Sequence, residues 1–168
     1  YLEVRRSTAD SLVAEGEMTD AVAIYDAIFA QADSTIAQRL RKESVMWAVA
    51  RISVGQSAKA IDHLEAVLRD RTRIYGATHL RTAEARGLIG AVRVHLGNDN
   101  DAARDFRSSV PALLDAPDGT VRTFILEAYL AFLSSRASIT DDRKVRTAVA
   151  AFQIANGLRS SKVNKALS

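Results

Sequence analysis

RKESVMWAVARISVGQSAKAIDHLEAVL, residues 41–68, carries an apolar stripe of helical period up to Gly55 and a second stripe after it. That pattern is two helices separated by a tight turn. Five residues beyond Gly55 comes Ala60, four further Leu64, and three further Val67. The same offsets recur on either side: Gly16 is followed by Ala21, Tyr25 and Ile28, and Gly97 by Ala102, Phe106 and Ser109. The glycines are 39 and 42 residues apart, a spacing that suits one helical hairpin plus a connecting turn. Glycine stands where a helix must close in a left-handed cap. The alanine lets the second helix approach its antiparallel partner closely, and the larger residue one turn on fills the space beyond.

A fourth, irregular unit follows. Val121–Ala137 reads as one apolar-periodic helix, Ile139–Asp142 as a turn and Lys144–Leu158 as another helix, in which Ala148, Phe152 and Ala155 repeat the second-helix offsets. Pro111, inside a periodic helix, and Pro117-Asp118-Gly119 mark the junction between the regular units and the last one, where any hinge is expected.

Composition agrees with a helical fold. The chain has 168 residues, 48% apolar and 26% charged, within the range of one folded globular domain. Eight Gly and two Pro are too few to turn the many short strands of a sandwich or barrel. The absence of cysteine excludes disulfides, thiolate zinc sites and a cysteine nucleophile within these residues. All 20 acidic residues lie in 1–142 with 17 of the 23 basic ones, so residues 143–168 carry six cations and no carboxylate side chain. Such a tail could attract nucleic acid or another polyanion, although its cations are dispersed with little aromatic interleaving. The longest weakly charged span, Thr123–Ser135, contains Glu127 and is too short for a bilayer, so no membrane anchor is expected. The chain opens at Tyr1 and stops within a helical pattern, so it reads as a piece of a larger protein; no compartment is assigned beyond the cytoplasm as the default expectation.

These positions resemble the tetratricopeptide repeat. The large-small pair of the first helix is Trp47-Ala48 in the second copy, Ile89-Gly90 in the third and Thr8-Ala9 in the first. The run Arg73-Ile74-Tyr75-Gly76-Ala77-Thr78-His79, leading to Ala83, resembles the longer connector of kinesin-light-chain-type repeats. Residues 151–167 resemble the joining helices of bacterial CHAT-type proteins, in which such repeats precede a caspase-like protease domain. The resemblance implies an all-α fold, a right-handed α-solenoid of about four antiparallel helical hairpins. It places repeats near 2–33, 41–74 and 83–115, the irregular hairpin at 119–158 and a joining helix at 159–168, all within a single domain of residues 1–168.

Residues that could carry chemistry point away from an enzyme. His63, His79 and His95 are 16 residues apart, a spacing without metal-ligand logic. His79 is expected to bond nearby backbone. Gly87-x-x-Gly90 lies within a helix and reads as close helix packing, not as a phosphate cradle. Asn98-Asp99-Asn100-Asp101 lacks the glycine and glutamate of a calcium loop and reads as a turn and helix N-cap. No cofactor, metal or catalytic residue is assigned.

What remains is recognition of a protein or peptide, or of an adjacent domain of the parent chain, on a concave face lined by first helices. By resemblance that face comprises Arg6, Asp10, Lys42, Val45, Val49, Ile52, Glu84, Ala91 and His95. A lysine-asparagine clamp for a terminal carboxylate is not expected, since Val45 and Gly87 replace its lysines and Asp10, Val49 and Ala91 its asparagines. The expected function is a non-catalytic binding scaffold, with polyanion binding through the tail as the alternative. The same apolar positions would equally suit packing against a neighbouring helix.

Overall fold

The computed structural model describes residues 1–136 and Ile154. Among them are eight α-helices, one short 3-10 turn and no strand. The helices are α1 (Leu2–Glu15), α2 (Met18–Gln31), α3 (Ser34–Glu43), α4 (Met46–Ser53), α5 (Ile61–Tyr75), α6 (Leu80–His95), α7 (Asp99–Leu114) and α8 (Thr120–Arg136), with the 3-10 turn at Ser57–Lys59 between α4 and α5.

Three hairpin turns are closed by one repeated device. Gly16, Gly55 and Gly97 have φ of 91°, 78° and 76°, in the left-handed region. The residue after each donates back across the turn, Glu17 to Leu12 at 2.9 Å, Gln56 to Arg51 at 2.8 Å and Asn98 to Arg93 at 2.8 Å. Each glycine N–H donates one step further in, to Val13, Ile52 and Val94. This is the Schellman arrangement, and it satisfies carbonyls that would otherwise face the turn unpaired.

The alternation of small and large side chains builds the core. Ala21, Ala60 and Ala102, then Tyr25, Leu64 and Phe106, then Ile28, Val67 and Ser109 are all at most 2% exposed. The stack advances stepwise, as an α-solenoid does: α1 touches α4, α4 touches α6 and α6 touches α8, while α2 packs on α4, α5 on α6 and α7 on α8. Gly87 and Gly90 serve close packing. A Cβ at Gly87 would lie 2.6 Å from Ile125 Cγ2 on α8, and one at Gly90 would lie 3.1 Å from the Phe106 ring on α7.

Residues 34–40, which the spacing leaves between the first and second units, form a separate helix together with residues 41–43, so the first helix of the second unit, expected from Arg41, begins only at Met46. Asp33 caps α3 by accepting from the Ile36 N–H at 2.8 Å. The helix ends because Ser44 turns extended, and its hydroxyl bonds both the Met46 N–H and the Asp10 carboxylate, at 3.3 and 3.2 Å. Carbonyls in the last turn of α3 are met by side chains from elsewhere. The Trp47 indole donates to the Arg41 carbonyl at 3.2 Å, and the guanidinium of Arg71 to that of Lys42 at 3.1 Å. Arg71 is only 4% exposed and also donates to the Arg81 carbonyl at 2.6 Å and to Glu84 at 3.3 Å, so one side chain joins α3, α5 and α6.

α7 continues past Pro111 to Leu114. α8 lies against both α4 and α6, and Phe106 of α7 meets its Tyr129 and Phe132 at ring distances of 4.9 and 5.7 Å. Ile154 is helical and buried in the same core. Ala148, Phe152 and Ala155, the joining helix 159–168 and the basic tail lie outside the described residues. No helix of the described residues is long and apolar enough to cross a membrane.

Two substitutions test this packing. Gly87→Ala lowers unfolding free energy by about 1–2 kcal/mol in urea titration, because overpacking outweighs the gain in helix propensity; in an Ile125→Ala background the same change is neutral or stabilising. Arg71→Met lowers stability by about 3 kcal/mol, and the amides of α3 then exchange with solvent before those of α6.

Candidate functional site

α3 and α5 lie side by side, and a cleft of about 320 Å³ opens between them. Ser34, Gln38, Arg41 and Lys42 form one wall, and Asp62, His63, Ala66, Val67 and Asp70 the other. A second cleft of about 300 Å³ adjoins it, reached by Arg39, Glu43, Tyr75 and Arg81 and sharing Gln38 and Lys42 with the first. The polar residues at 34, 38, 41 and 42 face the clefts, while Ala37 and Leu40 of the same helix are buried. This is the ordinary division of an amphipathic helix.

Of the nine residues expected on the concave face, only Lys42 lines these clefts. Val45, Val49, Ile52 and Ala91 are at most 3% exposed and belong to the core. α4, which carries Val49 and Ile52, and α6, which carries Ala91, are also helices that the chain's own α8 touches. The other four are held by side chains of the chain itself. Arg6 pairs with Glu3 at 3.1 Å and Glu43 at 3.6 Å. Asp10 accepts from the Tyr25 and Ser44 hydroxyls. Glu84 meets Arg71, and His95 Nδ1 lies 2.8 Å from the hydroxyl of the buried Ser57. This pair ties the 3-10 turn to α6. His79 accepts from the Arg81 N–H at 3.1 Å, capping α6. Among the described residues no group of three or more His, Cys, Asp or Glu could hold a metal ion.

Gln38, Arg41, His63, Tyr75 and Arg81 were not singled out by the repeat register. The polar stripe of 34, 38, 41 and 42 beside buried 37 and 40 is the signal that would have marked α3 as a cleft wall.

An aromatic ladder backs the first cleft. Tyr25 stacks on Phe29 at 6.2 Å, Phe29 meets Trp47 edge-on at 6.3 Å, and Trp47 meets His63 edge-on at 6.1 Å. The Arg41 guanidinium sits 4.1 Å over the Phe29 ring, a cation–π contact that holds a cleft residue in place. Partial burial, reinforced by the nearby Arg41 and Arg51 and opposed by Asp62, pushes the His63 imidazole below its ordinary value. Lys42, 2.6 Å from Asp70, holds that carboxyl below the usual range. Burial and the Asp10 carboxylate hold the Tyr25 hydroxyl far above its own.

Trp47 is the only tryptophan, so its emission reports on His63 directly. As pH falls, protonation of His63 quenches that emission with a midpoint below 6.5, and His63→Gln abolishes the transition. Because the folded value is depressed, the neutral ring contributes stability that is complete above pH 6.5 and is lost as pH falls through the folded value.

Residues 44–115, which contain α4 to α7, match the family model described as tetratricopeptide repeat. No curated protein and no solved structure matches the chain. The family match across these hairpins, set within an all-helical stack, supports a tetratricopeptide-repeat protein.

Proposed function

We propose that the chain is a non-catalytic scaffold that holds another polypeptide along α3 and α5. The observation that carries this reading is the pair of adjoining clefts joined at Gln38 and Lys42, whose walls mix the apolar Ala66 and Val67 with donors and acceptors. A segment lying there buries its side chains against the half-buried Ala66, with Val67 at the floor, and the Gln38 amide offers a donor and an acceptor to its backbone. Stacked helical repeats generally act by presenting extended surfaces of this kind. Of the nine inner-face residues, Lys42 is assigned as a ligand contact, and Arg6, Asp10, Glu84 and His95 as residues that fix the helices around it.

The finer reading is a regulatory or scaffolding segment of a larger bacterial protein of the CHAT type. It is supported by the resemblance of residues 151–167. The kinesin-light-chain character of the connector is supported by Tyr75, Gly76 and His79, with Gly76 at φ 90° and its carbonyl accepting from the Thr82 hydroxyl at 2.8 Å.

Selection of a displayed random-peptide library tests the scaffold. Selected peptides should slow amide exchange in α3 and α5 by about tenfold while leaving the exposed end of α7 unchanged. Failure to select any peptide, or protection confined to other helices, would reject the assignment.

A further inference from the structure

The second cleft has an unbalanced charge. Around it five cations, Arg6, Arg39, Lys42, Arg73 and Arg81, have three carboxylates among the described residues, Glu3, Glu43 and Asp70. Arg6 and Arg39 share Glu3 and Glu43, at 3.0 to 3.6 Å. Lys42 and Arg73 share Asp70, at 2.6 and 3.7 Å. Arg81 pairs with no carboxylate among the described residues; its guanidinium donates to the Tyr75 hydroxyl at 3.2 Å and lies 5.5 Å from that ring's centroid.

The backbone that carries two of these cations is also fixed in place. Buried Arg71 donates to the backbone carbonyls of both Lys42 and Arg81, which line the cleft. The two backbones are therefore held by one guanidinium, so a ligand has to order only the side chains they carry. The Tyr75 ring is already occupied, by His79 stacked at 4.8 Å and by Arg81, so it offers little to a stacking base. Gln38 and Thr35 supply an amide and a hydroxyl, suited to a peptide backbone, and Glu43 on the same wall disfavours a closely spaced run of phosphates.

We propose that this cleft takes an acidic stretch of a partner polypeptide, with an Asp or Glu side chain seated between Lys42 and Arg81. The proposal rests on the scaffold reading and adds the chemistry of the bound segment. Steering by the uncompensated charge makes the contact sensitive to salt.

The test is composition and charge dependence in a displayed dodecapeptide library selected on the wild-type chain, Arg81→Glu, Arg81→Gln and, as a control, Arg104→Gln on α7. Peptides recovered on the wild type should be enriched about threefold or more in Asp and Glu, and their recovery should fall about tenfold on Arg81→Glu, less on Arg81→Gln and not at all on the control. Circular dichroism confirms that each variant keeps its helices; because Arg81→Gln also removes the charge, the result does not hinge on one variant folding. Peptides without acidic enrichment, or recovery unchanged by both Arg81 variants, overturn the proposal while leaving the scaffold intact. A library yielding no binder removes both. Displacement of the selected peptides by a dodecamer of thymidylate at lower concentration than by the free peptide overturns the proposal in favour of nucleic acid.

Discussion

The guanidinium of Arg71 is the contact on which the cleft side of the molecule depends. A buried cation is costly unless it is paired, and here the two terminal nitrogens donate to two backbone carbonyls and one carboxylate drawn from α3 and α6, while the buried Nε has no partner among the described residues. Lysine could not do this, because the planar fork is what lets one side chain serve several acceptors at fixed angles. Burial lowers the Arg71 pKa, and Glu84 opposes that shift. Together with the indole of Trp47, the Lys42–Asp70 pair and the buried Ala37 and Leu40, Arg71 holds α3 beside α5 and so shapes both clefts.

The regular part of the fold was readable because its determinants are local. A left-handed glycine cap, an alanine five residues on and a large residue one turn later each need only their own hairpin, and the structure places all three copies in the same bonds and the same burial. The remainder is non-local. Nothing near Ser44 announces that its hydroxyl will bond Asp10, 34 residues earlier, and end a helix there. Val45, Val49, Ile52 and Ala91 have the residue types of a hydrophobic groove and of a helix interface alike; only the three-dimensional packing, which buries all four, decides between them.

The two parts of the surface differ in their electrostatics for a related reason. Where helices pair within the repeat register, charges are matched across the interface, as in Arg93 with Asp105 and Glu65 at 2.7 and 3.2 Å, or Arg136 with Asp99 at 2.9 Å. Burial still raises the Asp105 carboxyl, with Arg93 pulling it back, so even that pair is a compromise between desolvation and attraction. Around α3 the matching is incomplete, and cations outnumber their partners.

Each of the three glycine turns is sealed by bonds reaching no more than five residues along the chain. A hairpin closed in this way carries the instructions for its own turn, although pairs such as Arg93 with Glu65 and Ser57 with His95 also tie it to its neighbours. Whole hairpins can therefore be duplicated or deleted in evolution with little retuning of the others, whereas α3, tethered by distant side chains, has to be inherited together with the residues that clasp it.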